Sequence, residues 1–501
     1  MMVAMLFPII FPIIAGLLLL VMKEPKNRKL LTGVTGVSLV ITGCSVVYAL
    51  FHTKNQAVIL FQLSKALPIY LKPDSLGLLF SAVVTLVWEL AGFFSFAYMK
   101  KENGEKCFYG YYMMVFGILN GLGFSGNLVT FYMFYELMTL LSMPFVLHER
   151  SREAIMAGLK YLFYSFCGAY MVLFGLYFLY RYGNTLTFTA GGVLDGTLVP
   201  GNESLLLVVS FFMIMGFSVK AGMFPLHAWL PAAHPVAPAP ASAVLSAVIV
   251  KAGVLGIIRV VFYMFGADFI RGSWVQTVWM ILALITVFMG SMLAFRENLL
   301  KKRLAYSTVS QLSYILFGLA LLQPAAMEGA LLHVVFHAVI KCGLFLAAGA
   351  VIHKTGKTKV DELRGIGKEM PVTMWCYTFA SLALIGIPPA SGFISKWYLA
   401  EGSLASGIPV FSWLGPVVLL ISALLTAGYL LPLTMKGFFP GSGYLYDGQE
   451  EKGKKLFFSL KKEASPFILA PLVILAVLAV GTGMFPNPLT AYISDIVSGL
   501  F

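Results

Sequence analysis

The stretch Lys220–Arg259, KAGMFPLHAWLPAAHPVAPAPASAVLSAVIVKAGVLGIIR, decides how the rest of the chain is read. It opens with a lysine inside an apolar run and breaks over Pro225, Pro231, Pro235, Pro238 and Pro240, with His227 and His234 between them. It then resumes as a second apolar run that holds Lys251. Proline inside a helix removes a backbone hydrogen bond and clashes with the preceding turn, so the backbone must open here. At membrane depth, open backbone is tolerated where it lines a cavity or is enclosed by protein, and charges at that depth mark ion or proton paths. Two lysines flanking broken backbone therefore read as a site that handles cations or protons.

The surrounding composition supports membrane depth. The chain has 501 residues, 59% hydrophobic and 11% charged, against about 25% charged in a typical soluble domain. The net charge of +13 sits mostly in loops and does not imply nucleic acid as a partner. A helix needs about 20 apolar residues to cross the hydrocarbon core. That ruler gives fourteen spans, near 3–22, 30–51, 74–99, 107–124, 126–147, 154–180, 203–223, 238–264, 274–295, 304–322, 326–352, 372–400, 412–435 and 467–485. The first has no basic leader or small-residue cleavage site and is expected to be retained. Loops after odd-numbered spans hold 24 of the 35 Lys and Arg, those after even-numbered spans hold 5, and 6 lie within spans. By the positive-inside rule both termini face away from the cytoplasm, in the cell membrane of a prokaryote.

Five cysteines (Cys44, Cys107, Cys167, Cys342, Cys376) show no CxxC and no regular spacing, which argues against an iron–sulfur or zinc site. There is no Walker loop and no GxGxxG after a strand, which argues against ATP-driven transport by this chain alone. No metal site and no cofactor is expected in the chain. Residues 182–202 are Gly/Thr-rich and read as an external excursion. Residues 437–465 carry Glu450, Glu451, Lys452, Lys454, Lys455, Lys461 and Lys462 and read as a hydrophilic cytoplasmic loop.

Charges deep in the spans are the functional candidates, because each costs about 2.5–3.5 kcal/mol or more at the bilayer centre. The basic ones are Lys160, Lys220, Lys251, Arg259, Lys341 and Lys396, and the acids are Glu89 and Glu136. Glu136 lies at the middle of NLVTFYMFYELMTLLSMPFVL, while Glu89 reads mainly as helix packing. Lys220 precedes Pro225 by one turn, where a helix break admits water and a desolvated lysine can release its proton. His333, His337 and Lys341 follow i, i+4, i+8 spacing, which stacks three titratable groups on one helix face. Lys396 follows a second breaker cluster, GIPPASGFISK, with Pro388, Pro389 and Gly392. The two broken spans are five apart. An odd number inverts a repeat in the membrane, so spans 4–8 (107–264) and 9–13 (274–436) read as inverted five-helix repeats, with Lys160 matching Lys341. Helices 1–3 (1–106) precede them, and the loop 437–465 and the last helix and tail (466–501) follow.

At this point the chain resembles a known family, the antiporter-like subunits of respiratory complex I, Mrp-type sodium/proton antiporters and membrane-bound energy-converting hydrogenases. The matching stretches are KAGMFPLHAWLP (Lys220 to Pro231), Ser242 to Arg259, LLKKRLAYSTVSQLSYI (Leu299 to Ile315), HVVFHAVIKCGLFLAAG (His333 to Gly349) and GIPPASGFISK (Gly386 to Lys396), with Asp74 at the start of the third span. Lys396 and Lys251 stand where other subunit types have glutamate or histidine, and the chain ends without the long lateral helix of the largest complex I subunit. The resemblance implies a fourteen-helix channel in which Glu136 pairs with Lys220, Lys251 carries the proton towards the middle, and the line runs through His333, His337 and Lys341 to Lys396. It implies no redox centre in this chain, but partners in a hetero-oligomeric complex: further antiporter-like subunits, small membrane subunits and a redox hydrophilic arm. Protons are the expected cargo, with sodium left open. His227 and His234 are expected in a loop at the membrane surface. A stand-alone Mrp-type antiporter subunit, a self-sufficient secondary transporter and a scaffold with a dead channel remain as rival readings.

Overall fold

The computed structural model describes residues 2–24, 27–64, 67–441 and 463–501. It is a helical bundle. In chain order the helices are α1 (Met2–Val21), α2 (Arg28–His52), α3 (Ser75–Tyr98), α4 (Glu105–Gly123), α5 (Leu128–Val146), α6 (Arg152–Tyr182), α7 (Glu203–Ala221) and α8 (Leu230–Val236). They continue as α9 (Ala239–Phe265), α10 (Trp274–Arg296), α11 (Leu300–Ala320), α12 (Pro324–Thr355), α13 (Pro371–Ile385), α14 (Ser391–Ala405), α15 (Phe411–Phe438), α16 (Pro466–Met484) and α17 (Asn487–Ser498). Eleven helices among the described residues are long and apolar enough to cross a membrane. The protein is an integral membrane protein.

Local sequence fixes many helix starts. Asp74, Asn127, Ser151 and Ser273 each stand at an N-cap and accept a hydrogen bond from a backbone N–H of the first turn of α3, α5, α6 and α10, which satisfies one of the donors a helix leaves open at its start. The bundle is layered by burial. The most apolar stretch of α9 is wholly enclosed and that of α12 nearly so, whereas two thirds of the corresponding residues of α1 and α6 are not buried. Apolar side chains on the outer face of α6 such as Phe163 and Tyr170 are exposed, as expected of a surface that meets lipid. Deeply buried charges sit on the two central helices, Lys251 and Arg259 on α9 and Lys341 on α12, and at the end of α7, Lys220.

Both broken segments are resolved, and they share a form. Helix α7 ends at Gly222 in the left-handed conformation (φ +72°), and the chain resumes as a helix only at α8. The expected span 372–400 is two helices, α13 and α14, parted by residues 386–390, and α13 also ends on a left-handed glycine, Gly386 (φ +93°). Glycine reaches that conformation without a steric penalty, which lets each helix stop abruptly. Helix α9 is continuous through Lys251 but carries two wider-turn segments, Leu245–Ile249 and Arg259–Phe265.

Three features lie outside the apolar-run reading. Residues 51–74 contain an antiparallel hairpin, Val58–Ser64 with Leu67–Leu71. Residues 182–202 fold back onto the bundle, where the amides of Gly191 and Val193 donate to the carbonyls of Phe262 and Met264. The short helix α17 follows the last expected span. The charged stretch from Glu450 to Lys462 lies outside the described residues.

Candidate functional site

Lys220 lies in the last turn of α7 and is 1% exposed. Its Nζ donates to Tyr161 Oη at 2.8 Å and Ser165 Oγ at 3.0 Å, both on α6. The ammonium also lies 4.2 Å from the centre of the Tyr161 ring, a favourable place for a cation. Tyr161 in turn shares a hydrogen bond of 2.7 Å with Ser142 Oγ on α5. Tight packing makes this cradle possible. Gly253 on α9 lies so close that an added Cβ would sit 2.5 Å from Phe217 O and 2.9 Å from Lys220 Cβ.

Glu136 is half-buried on α5, and its Oε1 is buried without a hydrogen-bond partner among the described residues. The expected Glu136–Lys220 ion pair is not formed as a contact. The donors of Lys220 are directed at the hydroxyls of α6, and no salt bridge joins the two residues.

Lys251, 2% exposed on α9, donates to Ser246 O at 2.7 Å and lies 2.7 Å from His337 Nδ1 on α12. Ser246 belongs to the wider-turn segment of α9, and such turns recur at functional sites because they displace backbone groups from the regular helical pattern. The rings of His337 and His333 are 5.8 Å apart, as the i, i+4 spacing demands. His333 Nδ1 meets Ser395 Oγ of α14 at 2.9 Å, and Tyr314 of α11 stacks on the His333 ring at 5.7 Å. The Nε2 atoms of both histidines are buried without a partner among the described residues.

Lys396 on α14 is half-buried and donates to Leu384 O at 2.6 Å and Ile385 O at 2.9 Å. These carbonyls end α13, so the second break supplies acceptors for its lysine. Its ammonium lies 5.1 Å from the Tyr314 ring. Hydrogen bonds and ring contacts thus connect Lys251, His337, His333, Tyr314, Ser395 and Lys396 from α9 across α12 to α14.

Three candidates fall elsewhere. Lys341 is fully buried on α12 but donates to Leu304 O of α11 at 3.0 Å, and so branches from the His333–His337 line. Lys160 is exposed on the outer face of α6 and lines a surface recess with Glu153, Ala232 and Val236. The α6 faces that meet α5 and α7 carry its small residues, which leaves position 160 pointing out. His234 is not at a membrane surface. The proline-rich stretch closes into α8, which buries His234 fully and stacks its ring on Phe345 of α12 at 4.7 Å. His227 is half-buried, with its ring 6.1 Å from that of Phe224.

The hydroxyl partners Tyr161, Ser165, Tyr314 and Ser395 could not be singled out from sequence. Their signal is contact across helices, and hydroxyls are ordinary in such segments. Arg259 had a findable partner. It is 1% exposed and forms a bidentate pair with Asp74 at 2.5 and 2.6 Å, between Phe188 and Tyr263. Arginine inside an apolar span demands an acid, and Asp74 stands at the start of another span.

The family described as "NADH:quinone oxidoreductase/Mrp antiporter, TM" matches residues 125–426, the region holding every member of this line. Among curated relatives, NADH-quinone oxidoreductase subunit N of Desulforudis audaxviator is 33% identical over 389 residues, covering 77% of this chain and 75% of that protein. A Na(+)/H(+) antiporter subunit of Bacillus subtilis is 27% identical over 438 residues, covering 87% and 86%. Hydrogenase-4 component B of Escherichia coli is 33% identical over 345 residues, covering 66% of this chain and 50% of that protein. In fold, the chain superposes on a subunit of an archaeal membrane-bound sulfane sulfur reductase with a TM-score of 0.83 at 22% identity, over 99% of this chain and 97% of that one. The chain is a member of the transmembrane family shared by NADH:quinone oxidoreductase and Mrp antiporters, and thus an antiporter-like subunit of the complex I, Mrp or hydrogenase type.

Proposed function

We propose that this chain translocates protons as one subunit of a redox-driven, multi-subunit membrane complex, along Glu136, Lys220, Lys251, His337, His333 and Lys396, with Lys341 as a branch. The observation that carries the proposal is the direct contact of 2.7 Å between the buried side chains of Lys251 on α9 and His337 on α12. A lysine and a histidine share a hydrogen bond there with no carboxylate salt bridge to fix the charge among the described residues. Such a pair can exchange a proton. Between Glu136 and Lys220 the proton crosses by water or by the Ser142–Tyr161 hydroxyls. Further parts of the proposal are fourteen spans with two inverted five-helix repeats, and both termini on the non-cytoplasmic side of a prokaryotic cell membrane. The redox chemistry belongs to a hydrophilic arm, and the drive reaches this chain as a change in the field at Glu136 and Lys220.

Lys220→Ala in the assembled complex is expected to lower proton translocation by roughly a hundredfold, the scale of losing a proton-transfer group. Electron transfer in the partner subunits should continue. Unchanged pumping by the purified variant complex would remove the core of the proposal. A second reading, a subunit of a redox-independent sodium/proton antiporter, draws on the likeness to the Bacillus subtilis antiporter protein over most of both chains. Proton movement that follows an imposed sodium gradient without any electron donor would favour it.

A further inference from the structure

A groove of about 820 Å³ opens on the lipid-facing side of α2, away from the proton line, between α2, the end of α3, the end of α12 and the start of α16. Its length is apolar, lined by Val37, Ile41 and Phe93, and at Gly33 an added Cβ would meet open space. Its mouth is basic. Lys29, Lys100 and Lys354 line it and are exposed, and none has an acidic partner among the described residues. Arg28 also lines the mouth, but its charge is spent on Glu105.

Two further polar groups at the mouth lack partners. Both ring nitrogens of His353 and the Oγ of Ser465 are buried without a hydrogen bond among the described residues. The N-termini of α2 and α16 flank the same mouth, and each adds partial positive charge. All three lysines fall between the expected apolar spans, on the Lys/Arg-rich side of the chain.

We propose that this groove seats one anionic glycerophospholipid, with its phosphate among Lys29, Lys100 and Lys354 and one acyl chain along Val37, Ile41 and Phe93. A basic mouth opening onto an apolar trough within a single cavity matches the two halves of that molecule. A free phosphate would leave the trough exposed. A partner helix would fill the trough but would leave three lysines without counter-charge. The proposal does not depend on the proton path.

The test is native mass spectrometry of the full chain, or of its complex, in mild detergent with equal amounts of dioleoylphosphatidylglycerol and dioleoylphosphatidylcholine. One phosphatidylglycerol should be retained at least about fivefold over phosphatidylcholine. Lys29→Gln, Lys100→Gln and Lys354→Gln should each cut its retention about fivefold. Gly33→Phe, which fills the trough and keeps the lysines, should also displace it. A melting temperature equal to that of the unmodified chain qualifies each variant; where one fails to fold, the competition on the unmodified chain decides. Equal retention of the two lipids, full competition by inorganic phosphate, or a partner subunit's helix cross-linking into the trough would each overturn the proposal.

Discussion

Lys251 has two partners, the Ser246 carbonyl and His337 Nδ1. When the lysine is charged, Nδ1 must accept, and the imidazole proton then sits on Nε2. When the lysine gives up its proton, the imidazole can hold two. Replacing a buried charge that lacks a counter-ion with an isosteric apolar group is often neutral or stabilising. Lys251→Met is therefore expected to cut proton translocation roughly a hundredfold while the melting temperature holds or rises. A melting temperature lowered together with activity would make the lysine structural. Residues of this kind were legible in the sequence because charge is rare in apolar runs. Which way each one faces was not legible. Lys160 and Lys341 look alike in a linear reading, yet one is exposed and the other fully buried, because exposure depends on which neighbouring helices cover a face.

At the scale of elements, contacts between helices matter more than any one helix. Asp74 and Arg259 clasp the start of α3 to the last turns of α9. Breaking one partner of a buried pair leaves an uncompensated charge and costs about 3–5 kcal/mol. Asp74→Asn should lower stability on that scale in detergent unfolding, and Asp74→Asn with Arg259→Met should recover most of the loss. A double variant as unstable as the single one would show that the clasp is not what Asp74 contributes. The α7–α9 seam makes a second case. A methyl group at Gly253 would meet the backbone oxygen of Phe217, which cannot rotate away. Gly253→Ala should cost about 1–3 kcal/mol and lower proton transfer by disturbing the cradle of Lys220. Unaltered unfolding and pumping would mean that the seam can relax. Breaks at Pro225 and Pro388–Pro389 were legible because proline has a mechanism. The hairpin at 58–71 and the burial of His234 were not, since a ruler of apolar length says nothing about short strands or about a proline-rich stretch closing into a helix.

For the whole molecule, the placement of the half-buried charges is informative. Lys220, Lys251, His333, His337 and Lys341 are all 2% exposed or less, while Glu136 on α5 and Lys396 on α14 are only half-buried. Those two are the ends of the proposed line. A charge left facing hydrocarbon costs about 2.5–3.5 kcal/mol or more, so half-covered ends suit a chain whose neighbours complete the cover. The relatives named as subunits of an NADH-quinone oxidoreductase and of a Na(+)/H(+) antiporter agree with a chain that works in company. The isolated chain, purified and reconstituted in proteoliposomes, should therefore move protons at less than about a tenth of the rate of the assembled complex, the penalty of one order for about 1.4 kcal/mol of lost stabilisation. Glu136→Gln should lower transport in the complex and lower the residual rate of the isolated chain as well. Full, sodium-coupled transport by the isolated chain would instead make it a self-sufficient secondary transporter, with its half-covered ends serving as openings and not as joints.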